Sequence, residues 1–506
     1  MLTGWDVAVI GLYFLASAAL GIRLAGRQRS VEEYFLGGRS VPWWAVLFSI
    51  VATETSALTV ISVPAVAFGG DLTFLQLTFG YLLGRVLVSL LFLPAYYQGH
   101  LETAYAFLGR RFGDRLRGAT SLVFLATRLL ADGVRLFAAA IPIKVICDQL
   151  GVSVSYAHVI AAIGVVTVFY TYLGGLRAVI WVDVLQLGVY LLGALWALVV
   201  LLKGVPVDWL QRAVESGKLR LIYTGLELAP LEWIRQNYTL LTGLLGGAVF
   251  TMASHGTDQL IVQRLLACRS LRASQRALVG SGVFVIGQFA LFLGIGLLLW
   301  AYYGARVGTY MPSEILARMS LQRADEIFPH FLIEGLPPGL SGLILAGILA
   351  AAMSTLSSSL NALSSSTILD IYQRWFPNHY ARRDMLRLSR IMTLFWGGVF
   401  IGFAMLFRST ENPVVELGLS IASFTYGGLL GVFLLGLFFQ KVGEREALWA
   451  FLLAVACMIG FITLVRIGWP WYTATGALLT IAIGRLLYGI RCFREKPLST
   501  PAQMDG

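Results

Sequence analysis

The chain is poor in the residues that many enzymes and secreted scaffolds depend on. Its 506 residues include four cysteines, Cys147, Cys268, Cys457 and Cys492. They are scattered with no C-x-x-C or Cys/His spacing, so neither a disulfide framework nor a zinc site is expected. The five histidines are equally dispersed. No Walker A, G-x-S-x-G or H-E-x-x-H pattern occurs, and ATP-driven transport and membrane-bound hydrolase chemistry therefore lack their residues. The chain is read as a non-enzyme. Charge is scarce as well: 13% of residues are charged against 58% hydrophobic, far more apolar content than a soluble core requires. The first apolar run has neither a basic leading segment nor an A-x-A cleavage site, so it is expected to be a retained helix rather than a signal peptide.

What is abundant is membrane-length apolar sequence. Runs able to cross about 30 Å of hydrocarbon recur at 5–23, 41–68, 72–98, 118–146, 155–174, 179–203, 237–257, 278–303, 337–369, 387–407, 413–439, 446–465 and 470–488. The expected class is an all-α polytopic membrane protein with 13 transmembrane helices. The net charge of +11 is explained by where the cations sit. One set of alternate loops holds Arg23, Arg27, Arg29 and Arg39, then Arg110, Arg111, Arg115 and Arg117, then Arg177, then Arg264, Arg269, Arg272 and Arg276. It continues with Arg374, Arg382, Arg383, Arg387 and Arg390, then Lys441 and Arg445, then Arg485, Arg491, Arg494 and Lys496. The short loops of the other set offer Lys144, Arg408 and Arg466. The positive-inside rule makes the rich set cytoplasmic, with the N-terminus outside and the C-terminus inside. The cell membrane is the expected location. A bilayer, not a nucleic acid, accounts for the basic balance.

Polar residues within this apolar background are concentrated in a few places. In LAGILAAAMSTLSSSLNALSSSTILDIY (Leu345–Tyr372), Ser354, Ser357, Ser358 and Asn361 fall at i, i+3, i+4 and i+7 and share one helix face. Thr355 lies beside them, and Ala346, Gly347, Ala350, Ala351 and Ala352 leave little bulk ahead of them. Neutral oxygens in such a setting suit a hard cation such as Na⁺. Small and hydroxyl residues also pack membrane helices together with no ligand, and residue pattern alone leaves both readings open.

The second span carries ATETSALTVISVP (Ala52–Pro64): a glutamate, several hydroxyls and a proline inside otherwise apolar helix. It is expected to be interrupted, and Glu54 at membrane depth is a candidate functional group, with Arg85 as a structural partner in the alternative. The fourth span carries RLLADGVR, which sets Arg128, Asp132 and Arg135 on one face with one positive charge in excess. Arg135 is the candidate to hold an anionic solute bidentately, and a purely structural pair with Asp132 is the alternative.

The stretch TYLGGLRAVIWVDVLQ (Thr171–Gln186) adds a glycine turn and then Asp183 in a W-x-D-x-x-Q arrangement. Together with YFLGGRS, ATETSALTVISVP, HGTDQLIVQRLLACRSLRASQRAL (His255–Leu278) and the hydroxyl-rich helix, it resembles the signature of the sodium:solute symporters, which include sugar, sialic acid, proline, iodide and vitamin carriers. The resemblance covers approximately 5–440. It implies a leucine-transporter-like (LeuT-like) core of two five-helix inverted repeats, 41–203 and 237–439, each with a broken first helix. A peripheral helix and loop at 1–40 would precede them, an external loop at 204–236 would join them, and two peripheral helices with a short tail at 440–506 would follow. All belong to a single transport domain spanning 1–506.

The same resemblance implies the site residues. The family's shared sodium site falls on carbonyls of Ala52, Thr55 and Ala351 and hydroxyls of Ser354 and Thr355. A second sodium site, seen in the sialic acid branch, falls on Asp183, Ser354, Ser357 and Ser358. Ser56, Thr59 and Arg135, with Glu54, fall where solute is held. Position 54 is Glu here, unlike the amide of the sugar branch, and a carboxylate beside an anionic solute needs an offsetting cation. The implied function is secondary active Na⁺-coupled import of a small polar solute, with carboxylates and sugar acids such as sialic acid in view. It would proceed with no cofactor beyond the coupling ion and in a monomer. The alternatives are a proton-coupled carrier on the same fold, with Glu54 or Asp183 titrating, and a non-transporting sensor or channel-like member.

Overall fold

The computed structural model describes residues 4–25, 28–149, 153–334, 339–380, 384–406, 414–465 and 467–494. Arg27, Arg382, Arg383, Arg408, Arg466 and Lys496, which entered the comparison of loop charge, lie outside them. Among the described residues the regular structure is helical, apart from one isolated bridge between Val41 and Cys268. The main helices are α1 (Gly4–Ala25), α2 (Trp43–Glu54), α3 (Ala57–Gly69), α4 (Leu75–Leu91), α5 (Asp114–Gln149), α6 (Tyr156–Gly204) and α7 (Gly247–Gly256). They continue with α8 (Gln259–Leu266), α9 (Leu271–Val307), α10 (Leu340–Ser366), α11 (Met385–Leu406), α12 (Val414–Phe438), α13 (Glu444–Leu464) and α14 (Pro470–Arg494). Seven helical segments among the described residues are long and apolar enough to cross a membrane, and the bent pair α2–α3 makes an eighth.

The expected interruption of the second span is present. α2 stops at Glu54, Thr55 and Ser56 are both extended, and the two halves meet at 65°. The local sequence explains the stop. Thr55 turns its hydroxyl back to the Val51 carbonyl at 2.8 Å, and the Ser56 hydroxyl accepts the Thr59 amide at 3.4 Å, so side chains offer the backbone partners that compete with continued helix. Pro64 then removes one more amide donor within α3. A Cβ at Gly296 of α9 would fall 2.0 Å from the Pro64 carbonyl oxygen, so a glycine is what lets α9 lie against this backbone. The chain breaks again between α7 and α8, where Asp258 caps α8 by accepting the Leu260 amide at 2.9 Å.

Two local expectations are refined. The runs 155–174 and 179–203 are two helices, together labelled α6, that meet directly at a sharp kink at Gly175 (φ 55°, ψ −157°), so the expected glycine turn is made without a loop. A Cβ at Gly175 would stand 2.4 Å from the Tyr34 carbonyl oxygen. Tyr34 itself lies in a short helix, Val31–Leu36, within the stretch 1–40 expected to hold one helix and a loop; Ser30 caps its start, Gly37 ends it in left-handed geometry, and Tyr34, Phe35 and Leu36 are buried. At the centre runs α10, in which every residue from Ile344 to Ser366 is buried against α1, α2, α5 and α6 among others.

Candidate ion and solute site

α10 holds its hydroxyls in two ways. Thr355, Ser358 and Ser364 donate back to the carbonyls of Ala351, Ser354 and Leu360 at 3.1, 2.6 and 2.6 Å, as hydroxyls in apolar helices commonly do. Ser354 and Ser359 instead reach out, donating to Asp183 at 2.7 Å and to Asp132 at 2.5 Å. A hydroxyl that gives its proton to a carbonyl keeps its oxygen lone pairs for a cation. Thr355 and the Ala351 carbonyl, two of the oxygens assigned to the first sodium site, are thus side by side. Two more, the carbonyls of Ala52 and Thr55, come from the end of α2 and the extended pair after it, while the fifth, the Ser354 hydroxyl, donates to Asp183. Thr55 is further fixed by Gln288, whose amide donates to its hydroxyl at 2.6 Å, and by Tyr190 at 3.2 Å.

The second set also converges. Asp183 is fully buried and accepts Ser49 at 2.5 Å, Ser354 at 2.7 Å and the Arg264 guanidinium at 3.1 Å. Arg264 also donates to Ser49 at 2.9 Å and to Ser358, while Ser357 and Ser358 both donate to the Ser354 carbonyl. Asp183, Ser354, Ser357 and Ser358 therefore form one connected polar cluster with Arg264 inside it. Sequence reading did not anticipate Arg264 or Ser49.

A small cavity opens beside the break, lined by Ser56, Asp132, Arg135, Leu136, Ala352, Thr355 and Leu356. Ser56 and Arg135 are brought together here. Thr59 stands behind Ser56, with their hydroxyls 3.4 Å apart. Glu54 is not among the lining residues: both its oxygens accept from Arg85, at 2.6 and 2.5 Å, and His255 lies 3.7 Å away. Arg85 is held in turn by Ser281 at 2.8 Å.

The excess positive charge on the fourth span is resolved by a residue far along the chain. Arg128 pairs with Asp258, donates to the Tyr426 hydroxyl at 2.6 Å and makes only a long 3.4 Å contact to Asp132. Asp132 is thereby left to Arg135, which donates to it at 2.8 Å and remains a quarter exposed. Arg128, Arg135, Asp132 and Asp258 sum to zero charge, as do Glu54 with Arg85 and Asp183 with Arg264. Such mutual neutralisation is what allows ionised side chains at membrane depth.

The comparisons with known proteins agree with this architecture. The family model described as the sodium:solute symporter family matches residues 34–454. The chain is 31% identical to the rabbit (Oryctolagus cuniculus) sodium-dependent multivitamin transporter, over 88% of this chain and 68% of that one. It is 30% identical to the human (Homo sapiens) sodium/iodide cotransporter, over 86% and 66%, and 27% identical to the sodium/sialic acid symporter NanT of Aliivibrio fischeri, over 94% and 91%. Among solved structures, a substrate-bound, outward-open Na⁺-coupled sialic acid symporter superposes with a TM-score of 0.84 at 23% identity, covering 96% of this chain and 98% of that one. The fold is thus shared with Na⁺-coupled carriers, and the chain belongs to the sodium:solute symporter family.

Proposed function

We propose that the protein is a secondary active symporter that carries a small polar solute inward with Na⁺, the solute lodging in the cavity beside the broken helix. The observation that carries this reading is the double position of Thr355. It lines the cavity and it supplies a hydroxyl to the proposed first sodium site of Ala52, Thr55, Ala351, Ser354 and Thr355. Ion and solute would then order the same side chain and the same helix break, and such shared ordering is a physical basis for coupling. Asp183, Ser354, Ser357 and Ser358 are proposed as a second Na⁺ site. The donors of the first are neutral oxygens, which suit Na⁺ rather than a transition metal.

The solute is proposed to be an organic anion, a carboxylate or a sugar acid. The charges around the cavity cancel, so an ion bound at the first site adds one positive charge that a monoanion balances, with Arg135 as its bidentate contact. Ser56 and Thr59 would contribute hydroxyls. Glu54 would set the break through Arg85 rather than touch the solute.

The broken pairs α2–α3 and α7–α8 support two inverted repeats at 41–203 and 237–439, flanked by the peripheral segments 1–40 and 440–506 and joined by 204–236. Thirteen crossings are proposed on the thirteen apolar runs, along each of which helix occurs, and the distribution of loop cations argues for the N-terminus outside and the C-terminus inside. The transport unit is proposed to be one chain in a lipid bilayer.

The test is a thermal-shift screen of purified protein in Na⁺, in K⁺ and in choline, against sugars, amino acids, monocarboxylates and sialic acids. Stabilisation by a carboxylate only when Na⁺ is present is the expected result. Equal stabilisation in choline at fixed pH would contradict Na⁺ coupling and favour the proton-coupled alternative.

A further inference from the structure

Asp132 stands at the solute cavity in a way that pairing with an arginine alone does not explain. It is buried at 2% exposure, yet it lines the cavity next to Arg135. Its two oxygens are used unequally. Oδ2 receives Ser359 at 2.5 Å and the long contact from Arg128 at 3.4 Å, whereas Oδ1 receives Arg135 at 2.8 Å. An ionised carboxylate oxygen accepts about two hydrogen bonds, so Oδ1 keeps capacity for one more donor. That oxygen is bonded to the same guanidinium that faces the cavity. A solute held by Arg135 therefore presents the atoms nearest its own carboxylate to Asp132. A bare methylene there would leave a desolvated acceptor unmatched, whereas a hydroxyl or ammonium would satisfy it. Of the rest of the lining, Leu136, Ala352 and Leu356 are apolar and Ser56 and Thr355 offer neutral hydroxyls, so among the described lining residues Asp132 is the anionic acceptor for that donor.

We propose that Asp132 is a solute-contacting residue that selects carboxylates bearing a hydrogen-bond donor, hydroxyl or ammonium, on the carbon next to the carboxylate. This rests on the reading that the cavity holds the solute through Arg135. It goes further in naming which carboxylates are taken and which residue decides.

The test uses matched acids on the full-length purified protein in Na⁺: lactate, alanine and propionate, which differ only in the substituent beside the carboxylate. Half-saturating concentrations are read from thermal stabilisation. Lactate or alanine should bind at least about tenfold more tightly than propionate, because a site built to bond a hydroxyl or amine rejects the analogue lacking it. Lactate against alanine then shows which donor is meant. In Asp132→Asn, which keeps the shape but turns an acceptor toward a donor, the preference over propionate should fall to less than about threefold. Equal binding of all three acids to the wild type would overturn the proposal, and so would an unchanged preference in Asp132→Asn. If that variant does not fold, the wild-type comparison still decides. Propionate binding as tightly as lactate, and lost in Arg135→Ala, would overturn the role of Asp132 while leaving the carrier reading intact. Tight lactate binding indifferent to both Arg135→Ala and Asp132→Asn would remove the solute from this cavity and overturn both.

Discussion

The carboxylate of Asp183 and the guanidinium of Arg264 are paired at 3.1 Å with neither exposed, and Ser354 holds the other carboxylate oxygen at 2.7 Å. A cation tethered to the protein therefore already occupies part of the coordination that a second Na⁺ would use. Binding of that ion has to be shared with Arg264 or accompanied by its displacement.

Removing the carboxylate takes away the one full negative charge of the proposed second site. Asp183→Asn is expected to lower the Hill coefficient for Na⁺ from about two to about one, since that coefficient is bounded by the number of sites. The variant also leaves Arg264 buried without its counter-charge, at a cost of about 3–5 kcal/mol. The double variant Asp183→Asn/Arg264→Gln should regain part of that thermal stability without regaining the second ion. A wild-type coefficient of one, unchanged in Asp183→Asn, would return Asp183 to a structural role.

Arg135 is bonded to Asp132 on one side and open to the cavity on the other. Arg135→Ala is expected to raise the solute's half-saturating concentration by an amount on the order of 2–5 kcal/mol, while Na⁺-induced stabilisation stays intact. Failure of the variant to fold would favour a structural pair instead.

Lys218 belongs to the segment joining α6 to α7 and fastens it to the end of α3, donating to the Phe68 carbonyl at 2.6 Å and resting 5.4 Å from the centre of the Trp300 ring. Burial lowers its ammonium from 10.5 to about 8, outweighing the opposite pull of Asp71. Below pH 8 both folded and unfolded chains carry the proton, and between about 8 and 10.5 the unfolded chain binds more. Stability should therefore rise with pH across that window. Wild type should gain in melting temperature relative to Lys218→Met between pH 8 and pH 10. A constant difference between the two would show that Lys218 does not titrate there.

Gly175 has φ 55°, and a Cβ there would lie 2.4 Å from the Tyr34 carbonyl oxygen. Gly175→Ala should destabilise the protein by more than about 1 kcal/mol, whereas Gly188→Ala, with nothing within 4 Å of its added Cβ, should not. Equal melting temperatures for the two variants would show that the sharp fold of α6 does not depend on glycine.

Periodicity made the hydroxyl face of α10 legible, because a 3.6-residue repeat depends on neighbours in sequence alone. The broken second span was legible from Glu54, its hydroxyls and Pro64, although the break itself falls at Thr55 and Ser56, ahead of the proline. Charge partners across the fold were harder. Arg85 could be named for Glu54 because it lies in the next span, but Asp258 for Arg128 and Arg264 for Asp183 are brought together only by packing of α8 against distant helices. Their signal was present. Both lie in HGTDQLIVQR, an aspartate and an arginine in a mostly uncharged stretch where each needs a counter-charge. Asp132 was visible as part of a helical face, but its place at the cavity required the position of α3 and α10.

The coupling ion is proposed to be held jointly by the break in the second span and Thr355 of α10. The most direct measurement is equilibrium binding of radioactive sodium to purified wild-type protein and to Thr355→Ala, at fixed pH with choline as the replacing cation. Saturable binding in the wild type that falls by at least about tenfold in Thr355→Ala and is largely retained in Thr355→Ser is the predicted result, because only the alanine removes the coordinating hydroxyl. Sodium binding that is the same in all three proteins would contradict the claim and leave the hydroxyl face of α10 as helix packing.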